Sequence, residues 1–149
     1  MEPSYFGIEI RVMVKEITDY LQQKLPENFR GWTREALEDY VVWHIERNQL
    51  LAVTNGGEVQ GVLVGWPTEE MQVELFRWQE PTQHGRFWYW DQLAANTPET
   101  FMVGISEFLY RRPDAASLPS YGVRHGRVRS FRPVLKIYQK GQEIYGHKH

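Results

Sequence analysis

The feature that most constrains the fold of this chain is the segment 86–94, in which four consecutive aromatic residues are followed by Asp91. A run that is apolar at every position is typical of a strand buried on both faces, because neither set of alternating side chains can point to water. We therefore predict a central strand over residues 86–94. A carboxylate at the end of such a strand is a candidate for general acid–base chemistry, because active sites often hold carboxylates in partly desolvated surroundings.

The composition is that of one globular domain. The chain has 149 residues, of which 42% are hydrophobic and 24% are charged, so we predict a single domain over residues 1–149, with a frayed polar tail over residues 141–149. It has no cysteine, which excludes disulfides and cysteine nucleophiles. No apolar run reaches the roughly 20 residues of a membrane span, and no signal-peptide pattern begins the chain. We expect a soluble cytoplasmic protein.

Charge is distributed unevenly along the chain. Residues 1–110 contain 8 Lys and Arg against 17 Asp and Glu, whereas residues 111–149 contain 9 against 2. The basic half includes Arg127 and Arg129, which are candidates for holding the phosphates of a cofactor, a phosphopantetheine carrier or a nucleic acid. The alternative is a solvated sheet face that pairs with the acidic helices. The net charge of −2 disfavours nucleic-acid binding.

Three helices are predicted. Apolar residues spaced three and four apart indicate a helix over residues 8–24. Thr33 is the expected N-cap of a second helix, whose apolar face includes His44. Thr97 and Pro98 are the residue types preferred at the N-cap and the first position of a third helix.

Runs of apolar and alternating residues predict the other strands, which are expected over residues 50–54, 59–66, 123–132 and 135–139. Gly56 and Gly57 suit a tight turn between the first two strands, and Pro67 is expected to end the second. Residues 71–78 fit a strand and a helix equally well. The predicted fold class is α+β, with a mixed, mostly antiparallel sheet, two N-terminal helices and one helix after the central strand.

Three local patterns, spread over roughly residues 28–132, suggest a family. They are the motif Phe29-Arg30-Gly31-Trp32, the aromatic strand 86–94 and the arginine-rich segment 121–131. Together with the order of elements, they resemble the GNAT N-acetyltransferase superfamily, in which the central strand and the following helix form the site for a thioester donor. Within it the chain is similar to the toxin-activating lysine acyltransferases, which take a fatty acyl group from acyl carrier protein.

The resemblance implies a GNAT-like acyltransferase that moves an acyl group from a thioester of acyl carrier protein or coenzyme A to an amine such as a protein lysine. Asp91 is then the expected general base, and a backbone N–H at a bulge in the central strand would polarise the thioester carbonyl. Donor contacts are expected from Trp90, Gln92, Arg127 and Arg129, although the alternating aromatic residues also suit a buried core.

The chain departs from the family pattern at two places. Phe29 stands where the family has a catalytic histidine, and a phenylalanine cannot accept a proton; His44 is the candidate replacement if its helix face meets Asp91. Residues 95–99 replace the phosphate-binding loop, and Pro98 and Glu99 there disfavour a pyrophosphate.

These departures leave a second interpretation open, which is a non-catalytic binding or structural module of the same fold, of phage or mobile-element origin. In that case Asp91 would cap a loop or pair with an arginine such as Arg127. We predict no metal site, because no two histidines have the i, i+4 spacing of a helical metal site. Pairing of two copies through a sheet edge also stays open.

Overall fold

The computed structural model describes residues 3–71, 84–124 and 127–131. Over these ranges the helices are α1 (Pro3–Lys24), α2 (Arg34–Glu46) and α3 (Pro98–Arg111), with short 3₁₀ helices at Pro26–Phe29 and Pro113–Ala116. The strands are β1 (Leu50–Asn55), β2 (Glu58–Thr68), β3 (Phe87–Ala95), β4 (Ser120–Arg124) and β5 (Arg127–Phe131).

These strands form one sheet in the order β1-β2-β3-β4-β5. All neighbouring strands are antiparallel except β3 and β4, which are parallel. The architecture is therefore α+β with a mostly antiparallel sheet, as predicted, and it is compatible with a GNAT-like arrangement. None of the described helices is both long and apolar enough to cross a membrane.

The sheet separates two hydrophobic cores. On one face, Leu21 of α1 and Leu37 of α2 pack in the same cluster as Trp66 of β2. On the other face, Phe108 of α3 packs against Trp90 of β3. Large buried aromatic side chains fill both cores and supply much of the buried apolar area. The central position of β3, with a layer of helices on each side, explains why its sequence is aromatic at successive positions.

The predicted helix starts at Thr33 and Thr97 are confirmed. The Thr33 hydroxyl accepts a hydrogen bond from the backbone N–H of Ala36 at 3.0 Å, and the Thr97 hydroxyl accepts one from Thr100 N–H at 3.1 Å. Each cap satisfies a donor that has no partner inside its own helix. The first helix begins earlier than predicted, at Pro3, because a proline suits the first helical turn.

Two strand predictions are wrong. Strand β2 does not stop at Pro67 but continues to Thr68, with Pro67 opposite Trp88 of β3. Proline is tolerated there because β1 reaches only as far as Val64, so β2 has an edge on that side. The single strand predicted over residues 123–132 is instead the hairpin of β4 and β5, since alternation alone does not show where a chain reverses.

Other predictions lie outside the described residues. These are the strand over residues 135–139, the tail over residues 141–149 and almost all of the ambiguous segment 71–78.

Gly65 lies where β2 passes closest to the tryptophans of β3. A Cβ atom at this position would come within 2.7 Å of Trp88 Nε1, 2.8 Å of Trp90 Cε3 and 2.8 Å of the Tyr89 carbonyl oxygen. Real Cβ atoms do not approach other atoms this closely, and neither a packed indole nor a backbone carbonyl can move away easily. The absence of a side chain at Gly65 therefore permits two tryptophans to share the α3 face of β3.

We predict that Gly65→Ala lowers the free energy of unfolding by about 1–3 kcal/mol, as overpacked core substitutions do. Gly104→Ala in α3 is the matched control. Its Cβ would come within 2.7 Å of Leu63 Cδ1, but that atom is the end of a flexible side chain, and alanine gains about 1 kcal/mol of helix propensity. Urea unfolding of both variants measures the difference, and a larger loss for Gly104→Ala would contradict this account.

Candidate functional site

A β-bulge in the central strand organises the candidate site. The register of β2 and β3 pairs Val64 with Gln92 and Gly65 with Trp90, so Asp91 is the extra residue. An extra residue interrupts the alternation of side chains along a strand. Asp91 and Gln92 therefore both point toward α2, whereas Trp90 before them packs under α3.

The Asp91 side chain is only 4% exposed, and tyrosine hydroxyls hold its carboxyl group. Tyr40 of α2 donates to Oδ2 through a short hydrogen bond, and Tyr89 of β3 donates to Oδ1 at 2.8 Å. The Gln92 amide lies 3.4 Å from Oδ2. A buried carboxyl group needs such partners, because leaving it unpaired would cost far more than the hydrogen bonds provide.

Tyr40 reaches Asp91 because aromatic rings fix its position on α2. Its ring makes edge contacts with Phe29 and Trp32, each with centroids 5.8 Å apart, and with His44 at 4.6 Å. Phe29 is buried in this cluster. It therefore supports the tyrosine that contacts Asp91 and brings no proton-transfer group of its own.

His44 occupies the buried face of α2, as predicted, and is fully buried. Its ring stacks on Trp66 with centroids 4.8 Å apart, and its Nδ1 lies 2.9 Å from Gln49 Oε1. The α2 face that carries His44 does meet Asp91, but through Tyr40, one helical turn earlier. Among the described residues, Gln49 Nε2 and Trp66 Nε1 are buried without a hydrogen-bond partner.

The described pairing of β3 with β4 ends beside the bulge. The two strands pair at Trp88 with Ser120 and at Tyr89 with Tyr121, whereas β3 continues to Ala95 and pairs there with β2. Asp91 thus lies two residues after Tyr89, the last residue of β3 that pairs with β4 in the described strands.

A groove lies at the carboxyl end of β3. It has a volume of about 350 Å³ and is lined by Leu93, Ala94, Ala95, Asn96, Thr97, Pro98 and Phe101. This volume is at the lower end of the roughly 300–1,000 Å³ found for ligand pockets. The groove begins at Leu93, directly after Asp91 and Gln92 in the sequence, and ends on the first turn of α3.

The start of α3 does not fit the diphosphate of coenzyme A. Pro98 at the first position has no N–H, and Thr97 already accepts the hydrogen bond of Thr100 N–H. Glu99 adds a negative charge to the first turn. A phosphate site at a helix N-terminus needs free backbone N–H groups and a positive potential, and these three residues oppose both.

Tyr20 of α1 fixes the backbone beside this groove. Its single hydroxyl proton is shared between the Gln60 carbonyl oxygen at 3.1 Å and Asn96 Oδ1 at 3.0 Å. Asn96 in turn donates to Gln60 through its backbone N–H at 2.8 Å and its side-chain amide at 2.9 Å. The groove wall at Asn96 is therefore held by four hydrogen bonds that connect α1, β2 and the end of β3.

The other predicted site residues lie in different surroundings. Gln92 is buried next to Asp91 and accepts a hydrogen bond from the exposed Asn28 at 2.8 Å. Trp90 is 1% exposed and packs on the opposite face of the sheet from Asp91, which agrees with the core interpretation. Arg127 and Arg129 are exposed on β5, which is separated from β3 by β4. The structure therefore groups Asp91 with Gln92 and leaves these arginines two strands away.

Sequence reasoning missed the tyrosine pair around Asp91. Its structural alternative expected an arginine such as Arg127, but tyrosine hydroxyls hold the carboxyl group. A weak signal was available, because Tyr40 lies on the same predicted helix face as His44, and Tyr89 is separated from Asp91 by one residue. Nothing in the sequence indicates which helix face meets which strand end.

No group of three or more His, Asp or Glu side chains that could hold a metal ion occurs within residues 3–71, 84–124 and 127–131. No protein-family model matches the chain, and neither a curated protein nor a solved structure matches it significantly. The function is therefore inferred from the geometry of the site.

We predict that Tyr40→Phe lowers the free energy of unfolding by about 1.5–3 kcal/mol, the range for a hydrogen bond to a charged group. The ring and its contacts with Phe29 and His44 are retained, so the loss reports the hydroxyl alone. Tyr110→Phe removes a hydroxyl from a side chain that is 86% exposed and should leave stability unchanged. Equal stabilities of wild type and Tyr40→Phe in urea unfolding would show that Asp91 does not depend on this contact.

We also predict a loss of stability at high pH that depends on Tyr20. Burial raises the pKa of Tyr20 above its ordinary value of 10.0, so the folded state favours the neutral phenol. This contribution is complete below about pH 10 and is lost as the pH rises through the folded-state pKa. Urea unfolding across this range should show a steeper decline for wild type than for Tyr20→Phe. Parallel declines would refute the prediction.

Proposed function

We propose that this protein is a GNAT-like acyltransferase that moves an acyl group from a thioester donor to an amine. The observation that carries the proposal is the buried carboxyl group of Asp91 at a bulge in the central strand, two residues after the last described pairing with β4. A groove lies further along the same strand, between its last residues and the start of α3. The order of elements and the aromatic strand motif of the resembled family support the same reaction.

In the proposed reaction the amine nitrogen attacks the thioester carbonyl carbon. The carbon–sulfur bond breaks, an amide forms, and the amine proton passes to the carboxyl group of Asp91 and then to the departing thiolate. Backbone N–H groups at the bulge would stabilise the negative charge that develops on the carbonyl oxygen. Donors at such a position are worth about 2.7–4 kcal/mol of barrier where they have been removed singly.

The tyrosines around Asp91 have a role in this proposal. Tyr89 occupies the last position of β3 with a described pairing to β4 and donates to Asp91 Oδ1, so it fixes one oxygen of the carboxyl group. Tyr40 holds the other oxygen and orients the group. The pair takes over the positioning that a histidine provides in the resembled family, since Phe29 has no proton to exchange.

The donor is proposed to be an acyl carrier protein or coenzyme A thioester, and the acceptor a lysine of a partner protein, in the cytoplasm. These choices follow the resemblance. The poor fit of the α3 start to a diphosphate favours a donor that does not depend on that contact. The exposed Arg127 and Arg129 on β5 are available to an acidic carrier surface.

A second candidate is a binding module of the same fold without catalytic activity. It is favoured by the burial of Asp91, which is 4% exposed with both oxygens bonded to tyrosines. In this interpretation the carboxyl group connects α2 to β3, and the groove binds a ligand without chemistry. Fold alone does not distinguish the two, because one fold serves many functions.

We predict that Asp91→Asn reduces acyl transfer at least about 100-fold, the lower range for loss of a general base. Transfer is measured with acetyl-coenzyme A and with acyl carrier protein thioesters, at a temperature where unfolding experiments show both proteins to be folded. Asp39→Asn, which neutralises an exposed carboxylate one residue before Tyr40, is the matched control and should retain full activity.

Three outcomes are informative. A loss confined to Asp91→Asn supports the transferase. Equal background rates in wild type and both variants would exclude it and leave the binding module. In that case a rise in melting temperature with pantetheine or coenzyme A would identify the ligand of the module.

A further inference from the structure

We infer that Pro98 and Glu99 make the start of α3 a selectivity element, so that the groove accepts the uncharged pantetheine arm of a thioester and disfavours a diphosphate attached to it. The inference rests on the proposed acyl transfer. Glu99 is then a specificity-determining residue, and the affinity for a donor falls as the negative charge attached to its pantetheine arm increases.

The groove suits an uncharged chain. Leu93, Ala94, Ala95 and Phe101 give it an apolar wall, with Asn96 and Thr97 as polar neighbours. Its volume of about 350 Å³ suits a small ligand, since larger ligand sites extend to roughly 1,000 Å³. A pantetheine arm carries amide groups and no charge, which matches such a lining, whereas the nucleotide portion of coenzyme A would lie beyond it.

The groove wall is held in place without a ligand. Asn96 is fixed by hydrogen bonds with Tyr20 at 3.0 Å and with Gln60 at 2.8 and 2.9 Å. The chain therefore enters α3 in a set conformation, and the ligand does not have to order it. A preformed site can discriminate between ligands, because it does not adapt to the wrong one.

The electrostatics of the α3 start oppose a diphosphate. The Thr97 hydroxyl accepts the hydrogen bond of the Thr100 N–H at 3.1 Å, and Pro98 has no backbone N–H. Neither Thr100 nor Pro98 therefore offers a backbone donor to an anion. Glu99 is exposed in the first turn, where its carboxylate cancels the positive end of the helix dipole. A phosphate at this end of the groove would be repelled by the Glu99 carboxylate, and few backbone N–H donors would offset the repulsion.

The test uses thioether probes that cannot transfer an acyl group. S-propyl pantetheine, S-propyl phosphopantetheine and S-propyl coenzyme A share one arm and differ in the phosphates that follow. Isothermal titration at low salt should show the pantetheine probe binding most tightly and the coenzyme A probe least tightly. Glu99→Gln should strengthen binding of the coenzyme A probe about two- to five-fold, the effect of one charge at a helix end, and leave the pantetheine probe unchanged.

Two further variants make the test specific. Glu107→Gln removes a carboxylate from the same helix, where it pairs with Arg111 at 3.5 Å, and should change none of the affinities. Ala95→Leu narrows the groove and should weaken all three probes alike.

The failures are distinguishable. A wild-type protein that binds the coenzyme A probe more tightly than the pantetheine probe overturns this inference and leaves the transferase standing. A Glu99→Gln variant with wild-type affinities overturns the role of Glu99. If none of the probes binds at millimolar concentration, the protein has no pantetheine donor, and the proposed function falls together with the inference.

Discussion

The candidate site depends on one irregularity, the bulge that Asp91 introduces into β3. The extra residue turns Asp91 and Gln92 to the same face of the sheet, so the aromatic pattern on one side of the strand is joined to a polar pair on the other. A bulge also increases the local twist of a strand, which is consistent with the described pairing of β3 with β4 ending beside it. Gly65 opposite the bulge leaves room for the tryptophans that the twist brings close.

The hydrogen bonds from Tyr40 and Tyr89 offset the free-energy cost of burying the Asp91 carboxyl group. A carboxyl group taken out of water loses several kcal/mol of hydration, and each hydrogen bond to a charged group returns about 1.5–3 kcal/mol. With a tyrosine hydroxyl on each oxygen, most of the loss is offset. The ring contacts of Tyr40 with Phe29 and Trp32 then hold α2 at the distance that the hydrogen bond to Asp91 requires.

The proposed transferase differs from the family that it resembles at both ends of its site. Phe29 supports Tyr40 by ring contact at 5.8 Å where the family has a proton-transfer group, and the α3 start carries a cap, a proline and an acid in place of a phosphate loop.

Local signals determined much of the fold from the sequence alone. Thr33 and Thr97 are caps because short side-chain oxygens reach the backbone N–H groups of the next turn, and the aromatic run in β3 can only be a buried strand. Pro67 and the β4–β5 reversal were misjudged, because both depend on where a neighbouring strand ends. That information lies in strand pairing and cannot be read from local spacing.

Asp91 was identifiable from the sequence as an acid at the edge of a buried run, but its surroundings were not. Two tyrosine hydroxyls bond its carboxyl group, because the bulge and the crossing of α2 over β3 decide which side chains come together. Likewise His44 was correctly placed on a buried face, and only the packing of that face put Tyr40 between its ring and the carboxyl group. Residue types and periodicity determined the elements, whereas contacts between residues distant in sequence were decided by tertiary packing.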